Sequence, residues 1–214
     1  MFFDRARYVV VEGPIGVGKT SLARRFARHL KAATLFEKPE DNPFLEKFYQ
    51  DQSRFALATQ LFFLFQRSNE LRDIAQLDLF GASTVADYLF EKDPLFARLN
   101  LSDAEFSLYQ QIYQTLKPQT PTPDLVIYLQ AAPEVLLDRV RGRAQHYEQG
   151  ITENYLSRLT QSYNEFFYYY DASPVLTVNS EHLNFVNEDE DFAVLLQRIE
   201  DMRGPREFFS RGQN

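Results

Sequence analysis

Residues 8–20 read YVVVEGPIGVGKT. The run begins with apolar, mostly β-branched residues, as in a buried strand, and then fits the pattern G-x-x-x-x-G-K-[ST] of a phosphate-binding loop. Backbone N–H groups at glycines can converge on phosphate oxygens, and the helix that follows points its positive end at them. The residues predicted to bind a nucleoside triphosphate are Gly13, Gly16, Gly18, Lys19 and Thr20. Lys19 would contact the β- and γ-phosphates, and the Thr20 hydroxyl would reach Mg²⁺.

Short apolar runs alternate with helical patterns along the rest of the chain. The predicted strands lie at residues 8–11, 33–36, 83–86, 125–129 and 175–178. The predicted helices lie at residues 21–31, 43–72, 103–116, 133–143, 151–170 and 191–203, with 43–72 divided into two. Strands that alternate with helices form parallel sheets covered on both faces. We therefore expect an α/β P-loop fold with a five-stranded parallel sheet, helices on both faces, one domain over residues 1–214 and a loose tail at 204–214.

Composition excludes several classes of function. The chain has 214 residues, no cysteine and a net charge of −7, which rules out disulfide and thiolate chemistry and disfavours binding to nucleic acid. Its three histidines lie far apart in sequence, so a histidine-based metal site is not expected. No apolar run of about 18 residues is present to span a membrane, and charged residues interrupt the first apolar segment, which does not read as a signal peptide. We expect a cytoplasmic protein.

Several segments after the phosphate loop, taken in their order along the chain, point to one protein family. They are LFEKPE at 35–40, FYQD at 48–51 with RFA at 54–56, DYLFEKD at 87–93, LDRVRGR at 137–143 with YEQGI at 147–151, and VNEDEDF at 186–192. Together with the phosphate loop they resemble the deoxynucleoside kinases, the family of deoxycytidine, deoxyguanosine and deoxyadenosine kinases. The resemblance extends over residues 8–199, which is nearly the whole chain.

The resemblance implies a set of residues that bind the acceptor. Glu37 would be the general base on the 5′-hydroxyl, and Tyr49 and Glu148 would contact the 3′-hydroxyl. The residues expected around the nucleobase are Phe55, Gln60, Arg67, Asp93 and Phe96, with Arg67 and Asp93 as a buried pair. From the residues alone, Glu37 can equally be a solvated glutamate in a charged loop, and the aromatic residues can be core.

The resemblance also implies groups that bind the phosphates and the donor. Asp87 would lie near Mg²⁺ with Thr20, although the residue alone can equally be a helix cap. Residues 139–150 would form a short lid, in which Arg139 and Arg143 lie one helical turn apart and can reach the same phosphates. The same arginines can also form a solvated helix face. Glu190, Asp191 and Phe192 would border the base of the donor, or else form an acidic loop that caps the last helix.

The sequence departs from the family pattern at three positions. Tyr88 stands where the family has an arginine that holds the phosphoryl group, and Leu89 stands where it has a serine. Gln145 replaces a third lid arginine. The resemblance therefore leaves open which cation takes the role of the missing arginine, a lid arginine or Lys92.

The predicted function is that of a P-loop kinase which transfers the γ-phosphate of ATP to the 5′-hydroxyl of a deoxyribonucleoside, with Mg²⁺. Deoxyadenosine is the expected acceptor, with deoxycytidine or deoxyguanosine as further substrates, and the resemblance implies a homodimer. One alternative is a nucleoside-monophosphate kinase of the thymidylate type, which should carry extra arginines between residues 37 and 65. The other is a non-catalytic nucleotide-binding protein with the same fold.

Overall fold

The sheet is parallel throughout and is built outward from the strand that precedes the phosphate loop. The computed structural model describes residues 2–3, 5–77, 83–117, 121–185 and 188–211. Its strands are β1 (Tyr8–Glu12), β2 (Ala33–Leu35), β3 (Thr84–Ala86), β4 (Leu125–Gln130), β5 (Val175–Asn179) and β6 (Arg206–Phe209). They lie in the order β2-β3-β1-β4-β5-β6, and every neighbouring pair is parallel. Consecutive residues are buried along β1 and β3, as expected for a sheet covered on both faces.

The sixth strand corrects the prediction of five strands and a loose tail. Arg206 to Phe209 pair with Val175 to Val178 of β5. The Glu207 carboxylate accepts the backbone N–H of Arg203 at 2.7 Å and that of Gly204 at 3.0 Å, which fixes the turn into the strand. The tail is therefore ordered at least to the end of β6, while residues 212–214 lie outside the described residues.

The helices follow the predicted pattern, with one helix added and several ends shifted by a few residues. Their bounds are α1 (Lys19–Leu30), α2 (Leu45–Gln50), α3 (Gln52–Leu77), α4 (Asp93–Asn100), α5 (Asp103–Leu116), α6 (Pro133–Arg143), α7 (Glu153–Tyr169) and α8 (Asp189–Glu200). The division of 43–72 into two helices is confirmed, and α4 was not predicted. Helix α8 begins two residues earlier than predicted, since the acidic residues of its first turn suit the positive end of a helix. None of the helices described is long and apolar enough to cross a membrane.

The carboxyl ends of three neighbouring strands meet at one edge of the sheet. Strand β1 leads into the phosphate loop (residues 13–20), β2 leads to Glu37 and β3 leads to Asp87. The strand order reverses around β1, where β3 lies on one side and β4 on the other. Such a reversal opens a crevice at the carboxyl ends of the strands, where ligands bind in open α/β sheets. Buried polar residues collect there, among them Glu12, Arg67, Lys92 and Asp93.

Candidate active site

The phosphate loop has the backbone conformation that its glycines predict. Gly16 and Gly18 have φ values of 86° and 102°, in the left-handed region. A Cβ atom on Gly16 would also lie 2.7 Å from the carbonyl oxygen of Leu136, so the loop packs closely on the start of α6. The Lys19 ammonium donates to the carbonyl of Pro14 at 3.1 Å, which places it across the loop. Burial and the neighbouring charge of Lys92 lower the pKa of Lys19 to about 8.

Thr20 and Asp87 lie together, as the predicted magnesium site requires. The Thr20 hydroxyl donates to Asp87 Oδ2 at 2.5 Å, and Asp87 Oδ1 accepts the backbone N–H of Glu37 at 2.8 Å. Hydroxyl and carboxylate oxygens suit Mg²⁺, which is commonly held by one or two protein ligands together with substrate phosphates. The described residues contain no group of three or more acidic, histidine or cysteine side chains that could hold a metal ion. The Thr20 hydroxyl and the Asp87 carboxylate offer two oxygen ligands, which fits a cation that is also bound by substrate phosphates.

Glu37 is an ionised hydrogen-bond acceptor at the end of β2. Its Oε1 atom accepts from Arg67 Nε at 2.8 Å and also from Nη2, while Lys92 Nζ lies 3.4 Å away. Burial by itself would raise the pKa of this carboxyl, but the charges of Arg67 and Lys92 outweigh burial and lower the pKa to about 2. A carboxylate that stays ionised can accept a proton from an alcohol bound beside it.

Arg67 and Asp93 form the buried pair that the sequence predicts. Arg67 Nη1 donates to Asp93 Oδ2, and the Tyr109 hydroxyl donates to Asp93 Oδ1 at 2.5 Å. The Asp93 side chain is inaccessible to solvent. Two features were missed by the sequence analysis: Arg67 also contacts Glu37, and Tyr109 of α5 supports Asp93. The helical pattern of α5 marks Tyr109 only as a core residue, so no signal in the sequence pointed to its hydroxyl.

A cavity of about 540 Å³ brings most of the predicted residues together. The predicted residues that line it are Gly16, Gly18, Lys19, Thr20, Glu37, Tyr49, Gln60, Arg67, Asp87, Phe96, Arg143 and Glu148. Its size is typical of a small-molecule site. Gln60 is buried, and its side-chain oxygen has no hydrogen-bond partner among the described residues. A buried amide without a partner costs free energy, so this atom is poised to accept from a bound molecule.

Two of the predicted nucleobase contacts lie outside the lining of this cavity. Asp93 lies behind Arg67 and acts on the cavity through it. Phe55 faces cations instead: the Arg54 guanidinium lies 5.4 Å from the centre of its ring and the Lys47 ammonium 5.8 Å. Phe55 thus lies outside the lining of the cavity, and its contact with a nucleobase stays a prediction. Phe63 and Tyr155 provide aromatic lining that the sequence analysis did not single out.

One wall of the cavity is formed by the end of α6 and the segment that follows it. Arg143 Nε donates to Glu148 Oε2 at 2.7 Å, and Nη2 donates to Oε1. Glu148 is buried in a short 3₁₀ turn, His146–Glu148. Two residues later, Gly150 packs against the backbone of Tyr49, where an added Cβ would lie 2.7 Å from the carbonyl oxygen. This contact holds the wall against α2.

The two lid arginines line different cavities in this structure, and the expectation that both reach the same phosphates stays a prediction. Arg139 donates to the carbonyl of Ser180 at 2.8 Å and to its hydroxyl at 3.2 Å. It lines a second cavity of about 400 Å³ together with Val17, Gly18 and Ser21 of the loop and α1. The end of β5 provides acceptors for Arg139, whereas Arg143 lies beyond their reach and pairs with Glu148.

The predicted donor segment lies beside the second cavity but does not line it. Phe192 packs on Phe26, with 5.1 Å between ring centres, and Asp191 accepts the backbone N–H of Asn184 at 2.6 Å. Glu190 is exposed. Residues 183–185 line the cavity instead, and 186–187 lie outside the described residues. The side chains of Asp191 and Phe192 are buried, and the expectation that this segment borders the base of the donor stays a prediction.

Tyr88, which stands where the family has an arginine, belongs to the core of this structure. Its side chain is fully buried, and its hydroxyl donates to Glu70 Oε2 at 2.8 Å. It does not line the cavity. The backbone N–H of Leu89 donates to Glu12 Oε2 at 2.7 Å. Of the residues in the segment after β3, Asp87, Lys92 and Phe96 reach the cavity.

Comparisons with known proteins agree with this geometry. The family model described as deoxynucleoside kinase matches residues 9–202. Deoxyguanosine kinase of Bacillus subtilis is 32% identical over 204 residues, which are 93% of this chain and 99% of that protein. Deoxyadenosine/deoxycytidine kinase of the same organism is 28% identical over 89% of this chain and 90% of its own length. The structure of deoxyadenosine kinase from M. mycoides with bound dATP superposes with a TM-score of 0.78 at 22% identity, over 90% of this chain and 99% of that one.

Proposed function

The chain belongs to the deoxynucleoside kinase family, and we propose that it transfers the γ-phosphate of ATP to the 5′-hydroxyl of a deoxyribonucleoside. One observation carries this proposal. The phosphate loop and Glu37 line the same cavity, so a triphosphate held by the loop and an alcohol held by Glu37 would meet inside it. Phosphoryl transfer depends mainly on such positioning and on neutralising charge.

The proposed reaction uses the residues in separate roles. The bond between the 5′-oxygen and the γ-phosphorus forms as the bond from that phosphorus to the bridging oxygen breaks, and the electron pair stays on the leaving diphosphate. The proton of the 5′-hydroxyl passes to Glu37. Lys19 and Arg143 would neutralise the phosphates, and Arg139 would hold the donor from the second cavity. Thr20 and Asp87 would hold Mg²⁺, which would supply positive charge to offset that of the phosphates.

The acceptor preference follows from the groups at the closed end of the cavity. Gln60 offers an amide with both a donor and an acceptor, and Arg67 offers N–H groups held in place by Asp93. A purine edge with ring acceptors and an exocyclic amine suits this set. We therefore propose deoxyadenosine as the preferred acceptor, with deoxycytidine and deoxyguanosine as further substrates. The relatives named above act on the same three nucleosides.

The expected homodimer also remains a proposal. Phe65 of α3 and Leu108 of α5 each have 47% of their surface exposed, although both are large and apolar. Helices α3 and α5 pack against each other. Exposed apolar side chains on neighbouring helices support contact with a second copy. The cytoplasmic location stays a prediction.

The direct test is a phosphorylation assay on the purified protein with ATP, Mg²⁺ and each of the four common deoxynucleosides. The variant Glu37→Gln removes the proton acceptor but keeps the shape of the side chain. We expect its kcat to fall by a factor of about 10² to 10⁴ while the nucleoside Kd changes little. The control Asp41→Asn makes the same chemical change at an exposed position in the following turn. Wild-type turnover of monophosphates but not nucleosides would overturn the proposal, and unchanged turnover of Glu37→Gln would remove Glu37 as the base.

A further inference from the structure

Lys92 is a buried cation whose place in the fold is not explained by packing. It has 1% of its surface exposed, and its ammonium lies 3.7 Å from Glu12 Oε2 and 3.4 Å from Glu37 Oε1. Strong charge-assisted hydrogen bonds between nitrogen and oxygen are about 2.7–2.9 Å long. Lys92 therefore sits between two carboxylates at long range, and its hydrogen bond to Glu37 Oε2, at 3.5 Å, is a long one.

The surroundings of Lys92 place its ammonium beside the reacting groups. It lines the main cavity, as Lys19 and Glu37 do. It lies close enough to Lys19 to lower the pKa of that residue. The rings of Tyr88 and Phe96 lie below 6 Å from it, at 5.8 and 5.7 Å, and close its apolar side. The ammonium thus lies beside Glu37 and borders the cavity that the phosphate loop also lines.

We propose that Lys92 is a catalytic cation, which contacts the transferring phosphoryl group and the 5′-oxygen and takes the place of the arginine that Tyr88 does not supply. This inference rests on the proposed kinase reaction. As the 5′-oxygen bonds to the γ-phosphorus, negative charge spreads over the phosphoryl oxygens. A lysine ammonium is a compact charge with rotatable donors and can follow that group as it moves.

Glu12 positions Lys92 for this role. Its carboxylate is completely buried and accepts the N–H of Gly13 at 2.8 Å and the hydroxyl of Tyr163 at 2.9 Å, in addition to Leu89. These bonds fix the carboxylate at the start of the phosphate loop. Because Lys92 is held from this side, its ammonium keeps its place when Glu37 turns to the acceptor hydroxyl.

The competing explanation is that Lys92 only neutralises Glu12. A double-mutant cycle separates the two roles, since Glu12→Gln removes the charge that would need neutralising. We would measure kcat, the nucleoside KM and the melting temperature for the wild type, Lys92→Met, Glu12→Gln and the double variant. Lys117→Met, which removes an exposed lysine at the end of α5, controls for the change of residue type.

If Lys92 is catalytic, adding Lys92→Met to Glu12→Gln should lower kcat by a factor of about 10² to 10³. Losses of this size are typical when an enzyme loses one group that stabilises charge in the transition state. The nucleoside KM should stay within threefold, and the double variant should melt at or above the temperature of Lys92→Met. If the double variant turns over within threefold of Glu12→Gln, Lys92 is only a counter-ion and the inference is wrong. A wild type that phosphorylates no nucleoside would instead remove the proposed function, and this inference with it.

Discussion

Gly150→Ala is a small change whose effect can be worked out from the structure. The new Cβ would lie 2.7 Å from the carbonyl oxygen of Tyr49, 2.8 Å from its Cβ and 3.1 Å from its carbonyl carbon. The carbonyl atoms are backbone, so rotation of the Tyr49 side chain cannot relieve the contact. The segment around Gly150 must move away from α2, and it would take Glu148 away from Tyr49.

The expected size of the effect follows from the cost of overpacking. Inserting a methyl group into a closely packed contact costs about 1–3 kcal/mol. If Tyr49 and Glu148 together bind the sugar 3′-hydroxyl, much of this cost falls on nucleoside binding. Because about 1.4 kcal/mol corresponds to a factor of ten, the nucleoside KM should rise by a factor of about 5 to 150. The ATP KM should change little, since the phosphate loop is built on the opposite wall.

The assay is initial-rate kinetics with varied deoxynucleoside at saturating ATP, beside thermal unfolding. Gly142→Ala is the matched control, because a Cβ there meets no atom within 4 Å and the residue lies within α6. We expect it to keep its KM and to gain about 0.5–1 kcal/mol of stability. A Gly150→Ala protein whose nucleoside KM stays within twofold of the wild type would refute the assignment of the sugar site to this contact.

Two further predictions concern the charged groups. Arg67→Lys should flatten the ranking of the four deoxynucleosides in kcat/KM, because a single ammonium cannot reproduce the fork that contacts both Glu37 and Asp93; an unaltered ranking would contradict the role of Arg67 in reading the base. The lowered pKa of Lys19, about 8, predicts a pH-dependent affinity for triphosphate measured by calorimetry without Mg²⁺. Phosphate favours the charged ammonium, so the affinity should be constant below pH 8 and fall by up to tenfold per unit above it. Lys19→Arg stays charged over this range, and a slope equal to that of the wild type would show that another group is titrating.

The sequence predicts the fold well where a local pattern determines it. The β-branched run and the glycines of residues 8–20 fix β1 and the phosphate loop, because both need only local backbone conformations. Strand β6 escaped prediction because it has only four residues, two charged followed by two aromatic, which show no alternating pattern. Its pairing depends on the free edge of β5, which is set by the tertiary structure.

In the site, too, local patterns determine some features and the tertiary structure determines others. Glu37, Tyr49, Gln60, Arg67 and Glu148 reach one cavity because each follows from a motif with a fixed place on a strand end or helix. The direction of a long side chain, in contrast, is set by the partners that it meets in the folded structure. Arg139 and Arg143 share a helix face, yet Arg139 meets Ser180, which is 41 residues away in the chain, whereas Arg143 meets Glu148 in the turn that follows its own helix. Spacing alone could not place them.

The bonds made by Glu12 divide the site into a fixed half and a movable half. One carboxylate ties the beginning of the phosphate loop, the turn after β3 and helix α7 into a single unit, through Gly13, Leu89 and Tyr163. The opposite half carries Arg143, whose side chain is 44% exposed, and rests on Tyr49 through Gly150. We therefore expect any widening that admits a nucleoside to fall on residues 143–150, while the start of the phosphate loop, the turn after β3 and α7 stay joined through Glu12.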